Sequence, residues 1–385
     1  MTTPPTWHLV TCEFPPDVGG VSDYACTMAE ALADHGCDVH VWCSADPAAP
    51  PRGGESRVVV HGIPRAFAPA GLGRLGRELD AMAAPRRLFI QWVPHGYGYK
   101  SLNVWFAAWV ARRAWLHRDD VHLMVHEPFL AFTGTPRQLV AAAIHRLMFV
   151  LASFGATRVW MSTSAWGPKI GPWLFGRIAP RWLPVPAVGG WADAGIAGSR
   201  AMRPTAGRVV VGHFGTHSPL VTQILDRTID LLLQDPRVDL LLIGRDSDRY
   251  REACVAARPW ADAQVRATGT LPGPALRAQV AACDLILQPY PDGVSARRTS
   301  TLAMLAAGAA VVTNAGALTE PFWEGEAGIV LVPSPDPARL AAAVMRLVQD
   351  PGERGRVATA GRDLYDRLFR VERSIALLLA SATTG

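Results

Sequence analysis

At 385 residues the chain exceeds what one ordinary core sustains, so two domains of roughly 150–200 residues are expected. Hydrophobic residues at 49% against 18% charged mark a globular protein with a large buried fraction. The formal charge of +5, carried by dispersed arginines, argues against a nucleic-acid partner and suits an anionic small ligand or a lipid surface equally.

The six cysteines (Cys12, Cys26, Cys37, Cys43, Cys254 and Cys283) form no CxxC pair, and most sit in apolar contexts. Free thiols in a reducing compartment fit them better than disulfides or zinc. Met1–Trp7 lacks the regions of a signal peptide, and no uninterrupted apolar run approaches ~20 residues. A cytoplasmic protein without a membrane span is expected.

Apolar strand candidates of the first half are Trp7–Val10, Val39–Cys43, Arg57–Val60, Leu88–Val93, Val121–Val125 and Arg158–Ser162. Helical spacing covers Asp23–His35, Leu102–Leu116 and Arg137–Phe154. A Gly/Ala/Pro-rich stretch follows, with a linker assigned to 189–207. The second series of strands is Val209–Gly212, Val238–Ile243, Val265–Thr268, Leu285–Gln288, Ala309–Thr313 and Ile329–Val332. Helices Leu220–Leu233, Pro274–Ala282, Ser300–Ala307 and Pro337–Val348 alternate with them. Two βα series imply α/β architecture, with two Rossmann-like doubly wound domains facing a cleft and ligands at the carboxyl ends of the strands. The domains are set at 1–188 and 208–365, with a C-terminal helix in 366–385 returning to the first domain.

Two helices combine aromatics with basic charge. Leu102–Leu116 carries Trp105, Phe106, Trp109 and Trp115 beside Arg112-Arg113; Arg137–Phe154 is apolar around much of its circumference. Such helices usually face a core, and peripheral membrane contact is the other reading.

The run Phe14-Pro15-Pro16-Asp17-Val18-Gly19-Gly20-Val21 joins a strand to a helix through a glycine turn. Glycine admits close backbone approach and the first helical N–H groups are unpaired, which makes a phosphate-sized anion site at Gly19 and Gly20. In the second half, Gln288-Pro289-Tyr290-Pro291-Asp292-Gly293 leads to Arg297-Arg298-Thr299-Ser300 at another helix start. Arginine grips phosphate oxygens bidentately, so Arg297 and Arg298 are expected to complete a diphosphate clamp opposite Gly19-Gly20. His126-Glu127 ends the strand Val121–Val125, where a histidine can bond a substrate hydroxyl or carry a proton. The loop holding His95, Tyr97 and Lys100 ends another strand and mixes aromatic faces with polar tips, a composition for an acceptor. Asp246-Ser247-Asp248 has the spacing of a metal-holding pair, but flanking arginines favour a solvated loop, and no metal site is assigned.

Together these pieces resemble the GT-B glycosyltransferases of the retaining, metal-independent group called family 4. The resemblance runs through Phe14-Pro15-Pro16, Gly19-Gly20-Val21, Val125-His126-Glu127-Pro128, Val211-Gly212-His213-Phe214-Gly215, Leu241-Leu242-Ile243-Gly244, Thr268-Gly269-Thr270-Leu271-Pro272 and Ala282–Pro289 in the family's order. It implies transfer of a sugar from a nucleotide-diphosphate donor to a small-molecule, lipid or saccharide acceptor, with no cofactor. It assigns the diphosphate to Gly19 and Gly20, the sugar to His126, the base to the loop Thr268–Leu271, and phosphate-facing N–H groups to Thr299 and Ser300. Thr216 joins the donor contacts; His95, Tyr97, Lys100 and Glu127 are given to the acceptor.

Two departures stand out. The family's paired glutamates fall on Ser295 and Ala303, leaving Glu320 as a partial substitute at the donor. The loop Gly215-Thr216-His217-Ser218-Pro219 lacks the family's Arg and Lys, whose charge Arg297 and Arg298 would supply. The alternative is a catalytically silent sugar-nucleotide binder or a partner subunit of another transferase. An epimerase or phosphorylase on the same fold is a third reading. The Ala/Arg/Pro-rich composition is typical of GC-rich bacterial genomes.

Overall fold

The computed structural model describes residues 6–17, 19–44, 57–187, 191 and 207–382. The chain divides into two units, Met1–Val185 with Val371–Gly385, and Pro186–Arg370.

The first unit runs β1 (Thr6–Val10), α1 (Gly20–Asp34), β2 (Asp38–Cys43), β3 (Val58–Gly62), α2 (Pro69–Asp80), β4 (Arg87–Trp92), α3 (Val104–His117), β5 (Asp120–Val125), α4 (Pro136–Phe154), β6 (Arg158–Met161), α5 (Gly167–Ile170) and β7 (Arg181–Trp182). Its seven strands pair in parallel in the order β3-β2-β1-β4-β5-β6-β7. The order reverses between β1 and β4, so the loops after those two strands border the crevice where such sheets take ligands. Those loops carry Gly19 and His95.

The second unit runs β8 (Val209–Phe214), α6 (Pro219–Leu232), β9 (Val238–Ile243), α7 (Ser247–Ala257), β10 (Val265–Ala267), α8 (Gly273–Ala281), β11 (Leu285–Gln288), α9 (Thr299–Ala306), β12 (Val311–Asn314), β13 (Val330–Val332), α10 (Pro337–Gln349) and α11 (Pro351–Leu368). Its sheet order is β10-β9-β8-β11-β12-β13, all parallel, with the reversal between β8 and β11. All six residues of β9 are buried, as a strand covered on both faces requires. Leu225, Ile229 and Leu232 of α6 share that core with Val344 and Leu347 of α10.

The final helix, α12 (Val371–Ala382), belongs to the first unit, where it packs on α1 and Ser374 Oγ donates to the Pro184 carbonyl at 2.7 Å. The boundary placed at 365 falls inside α11. Of the linker assigned to 189–207, all but Trp191 and Gly207 lie outside the described residues; Trp191 is buried beside Phe214, ring centroids 6.1 Å apart.

Local chemistry fixes the helix starts. Thr135 and Gln138 form a reciprocal capping box with Pro136 in the first turn of α4. Asp336 and Asp350 accept first-turn N–H groups of α10 and α11, each followed by proline. The solvated loop expected at Asp246-Ser247-Asp248 is instead the start of α7. Ser247 is buried there and its hydroxyl accepts the Gly269 N–H at 2.9 Å, which ties the segment to the loop after β10. Helix α2 went unpredicted because Gly71, Gly73 and Gly76 dilute its apolar spacing.

Arg112 and Arg113 take opposite sides of α3. Arg112 is exposed, whereas Arg113 is buried, with Nε 2.5 Å from Asp119 Oδ2 and Nη1 2.7 Å from Asp80 Oδ1. Contrary to the sequence expectation, one described helix, Pro136–Phe154, has the length and mean hydropathy (1.2) that a membrane span needs. It is held on one side by the fold: His145 Nε2 lies 2.7 Å from the Ser101 carbonyl, and Arg146 Nη1 donates to the Leu130 and Ala142 carbonyls.

Candidate functional site

In the second unit, side chains lock the two strands that flank the reversal. Gln288 Nε2 donates to the Phe214 carbonyl at 2.8 Å, and His213 Nδ1 lies 2.8 Å from the Leu287 carbonyl. His213 therefore carries its proton on Nδ1, and burial pushes its pKa down to about 3, so it stays neutral. The turn after β9 passes close to the loop after β8: Gly244 has φ +109°, and a Cβ there would stand 2.5 Å from the Gly215 carbonyl oxygen. Thr216 is exposed at the tip of that loop, with His217 buried beneath it.

The loop after β11 differs from its expected form. Arg297 and Arg298 are not free cations; both pair with Asp292, Arg297 at 3.3 Å and Arg298 in closer contact. The turn at Gly293 folds the chain back so that a carboxylate five and six positions earlier reaches both guanidinium groups. Both guanidinium groups therefore share the Asp292 carboxylate beside the α9 start. Arg298 also lies over the Tyr290 ring, 4.5 Å from its centroid. The Thr299 N–H, expected to face phosphate, donates to the Arg297 carbonyl at 3.0 Å. The Ser300 and Thr301 hydroxyls both meet the Tyr290 hydroxyl at 2.8 Å.

Glu320 is not a surface substitute for the missing carboxylates. It is buried, both its oxygens accept the Ala296 N–H at 3.1 Å, and Oε2 accepts Trp323 Nε1 at 2.9 Å. It braces the 293–298 loop from inside. Ser295 and Ala303 are buried as well, and the Ser295 hydroxyl has no hydrogen-bond partner among the described residues. Thr268 donates its N–H to the Leu242 carbonyl at 3.1 Å and its hydroxyl to the Gly269 carbonyl at 2.8 Å; Leu271 is half-buried.

In the first unit, Gly19 is the extended N-cap residue of α1 and Gly20 opens the helix, without a side-chain cap. The Glu13 carboxylate fills the space that a side chain on Gly19 would need. Burial raises the pKa of both Glu13 and Asp23, and Asp17 adds to the rise at Glu13. The turn read as an anion site is therefore rimmed by carboxylates, a charge that the glycine pattern did not disclose.

His126 follows β5, its ring edge-on to Tyr24 with centroids 4.8 Å apart. Its Nε2 stands 2.8 Å from Gln91 Oε1, and its carbonyl accepts Trp166 Nε1 at 3.1 Å. An amide oxygen only accepts, so Nε2 carries the proton and Nδ1 is the bare acceptor. Burial holds its pKa at about 3. A neutral imidazole of this kind can accept a hydroxyl proton in a hydrogen bond but is too weak a base to carry a proton near pH 7. Gln91 was missed from the sequence; its one signal was an amide within the apolar strand Leu88–Val93.

His95 and Glu127 approach each other, Nε2 to Oε2 3.9 Å, with the His145 ring 5.0 Å from that of His95. Lys100 is exposed in the same loop. Tyr97 does not join them. It is buried, donates its hydroxyl to the Gln91 carbonyl, and stacks on Phe106 at 3.9 Å, so packing under α3 removes it from any acceptor surface. The start of α7 holds Asp246 and Asp248, and no group of three His, Cys, Asp or Glu side chains suited to a metal occurs among the described residues.

Residues 18–166 match the family described as Glycosyltransferase Family 4, and residues 208–350 match the one described as Glycosyl transferases group 1. No curated protein matches the sequence. Among solved structures, the sucrose-phosphate synthase of Thermosynechococcus elongatus is 18% identical with a TM-score of 0.75, over 98% of each chain. Anabaena HepE in complex with UDP and glucose is 17% identical, TM-score 0.67, over 98% of this chain and 99% of that one. An α,α-trehalose-phosphate synthase (UDP-forming) from Burkholderia vietnamiensis is 14% identical, TM-score 0.68, over 100% and 98%. At these identities the likeness is one of fold, two Rossmann-like α/β domains.

Proposed function

The chain belongs to the glycosyltransferases of family 4 and group 1, and from that premise we propose that it transfers a sugar from a nucleoside-diphosphate donor with retention of configuration and without a metal ion. The observation that carries the reading is the β8/β11 crevice of the second unit. There the guanidinium groups of Arg297 and Arg298, held by Asp292, sit beside the first turn of α9. As the bond from the anomeric carbon to the diphosphate breaks, negative charge gathers on the departing phosphate oxygens. Cationic groups already in place stabilise that charge without reorganisation, usually the largest catalytic term. Arginine supplies that charge permanently and can bond phosphate oxygens bidentately. One structure named above, that of Anabaena HepE, is described in complex with UDP and glucose, which supports a uridine diphosphate sugar as the first donor to try.

Neutral His126 suits a positioning role: Nε2–H is held by Gln91, which leaves Nδ1 to accept from a sugar hydroxyl. His95, Glu127 and Lys100 would receive the acceptor. A second reading, a sugar-nucleotide binder without turnover, is motivated by Ser295 and Ala303 in place of two carboxylates. One experiment separates them. The protein is incubated with UDP-glucose and other nucleotide sugars in EDTA, and donor hydrolysis is followed by chromatography. Slow hydrolysis in EDTA supports the enzyme; donor binding by calorimetry with an intact donor supports the silent binder. Activity that returns only with magnesium or manganese overturns metal independence. The anomeric proton coupling of the product, read by NMR, decides retention against inversion.

A further inference from the structure

We infer that the outer faces of α3 and α4 form a docking surface for an anionic lipid bilayer. The proposal goes beyond the transfer reaction and stands whether or not that reading does.

On α3 the exposed positions are Trp105, Ala108, Arg112, Trp115 and Leu116, spaced by three and four residues and therefore on one stripe. Trp105 is 66%, Trp115 58% and Leu116 71% exposed. On α4, Val140 (60%), Leu147 (51%) and Phe154 (40%) repeat the pattern. The two helices pack side by side, and Trp115 meets Phe154 edge-to-face at 5.3 Å, so the stripes join. Together these six side chains expose on the order of 600 Å² of apolar surface, the upper end of what a monomer leaves uncovered.

Charge on the same face identifies the occupant. Neither helix contains a carboxylate, and residues 128–192 include no Asp or Glu at all. Arg112 lies within the α3 stripe, Arg118 caps its end, Arg137 opens α4, and Arg177 stacks on Phe154 at 3.8 Å from the ring centroid. None of these four arginines forms an ion pair among the described residues, whereas buried Arg113 is paired with Asp119. Indole rings interleaved with unpaired cations match the headgroup region of an anionic membrane, where tryptophan sits at the interface and arginine meets phosphate. A second copy fits poorly, because a two-fold contact sets the same arginines against one another. The helix α4 lies along such a surface rather than across it, since His145 and Arg146 anchor its inner side to the fold.

The test is flotation of the full chain with phosphatidylcholine vesicles, with and without about 30 mol% phosphatidylglycerol. The wild type is expected to float with the anionic vesicles, at least tenfold more than with the neutral ones, and to be released by about 0.5 M salt. Trp105→Ser with Trp115→Ser, and separately Arg112→Glu with Arg137→Glu, should each lower binding at least tenfold at an unchanged melting temperature. Failure of the wild type to bind anionic vesicles overturns the inference. So does equal binding by both variants, or a concentration-dependent dimer that the same substitutions dissolve.

Discussion

The Nε2 of His126 and the Oε1 of Gln91 stand 2.8 Å apart, although His126 follows β5 and Gln91 lies within β4. The parallel register sets Gln91 beside Met124 and so brings its amide within reach of the residue after β5. The contact fixes which ring nitrogen bears the proton. It also leaves Nδ1 as the ring's bare acceptor.

Both ring nitrogens can be read in one set of variants. His126→Ala leaves the buried Gln91 oxygen unpaired, a loss of about 1–3 kcal/mol in stability, and turnover should fall about tenfold through loss of one positioning hydrogen bond. In a Gln91→Met background the stability cost of His126→Ala should shrink to below ~1 kcal/mol, because the pair is already broken. Thermal melts and donor hydrolysis on the three proteins check this; equal costs in both backgrounds would show that the bond carries no stability.

The arginine pair gives a second expectation. Arg298→Ala should weaken a nucleoside diphosphate at least tenfold while leaving the bare nucleoside unchanged, since charge-assisted bonds are worth roughly 1.5–3 kcal/mol. Asp292→Asn should act oppositely and tighten the diphosphate, by removing the carboxylate that competes for both guanidinium groups. Calorimetric titration of UDP and uridine into each variant measures both. An unchanged UDP affinity in Arg298→Ala would reduce the pair to a loop contact.

Glu320 holds three buried hydrogen bonds to two donors, so its removal should be felt in the fold before the site. Glu320→Ala is expected to cost about 3 kcal/mol, with Glu320→Gln costing less because the amide oxygen still accepts one donor. Chemical denaturation of the two variants ranks them. A surface carboxylate reaching for ribose would instead leave stability unchanged and weaken the donor.

Three histidines set the acid limit. His8, His126 and His213 are each held down to about 3 by burial, so each is neutral when folded and protonates at about 6.5 when unfolded. The stability that each contributes is complete above about pH 6.5 and is lost as the pH falls towards 3. At pH 5 the loss is about 2 kcal/mol per histidine, enough together to lower the melting temperature well before carboxylates protonate. Melting curves at pH 7, 6 and 5 test this; His213→Gln should flatten the decline, and a wild-type profile flat to pH 5 would contradict it.

The sequence by itself determined both α/β domains and most of the alternation of strands and helices, though not α2 or α7. Those properties are local: β9 reads as Val-Asp-Leu-Leu-Leu-Ile because a parallel strand is covered on both faces, and α4 reads from the helical spacing over Arg137–Phe154. Partnership between side chains was decided only in three dimensions. Arg112 and Arg113 are identical neighbours in sequence, yet helix geometry turns one outward and the other onto Asp119. Tyr97 and His95 share one loop, but the hydroxyl of Tyr97 is spent on Gln91 and its ring on Phe106. Arg297, Arg298 and Glu320 carry the charges that the pattern promised, with Asp292 and Ala296 as partners it could not name. Periodicity records which way a residue faces its own element; burial, charge pairing and proton position depend on which other elements the fold brings against it.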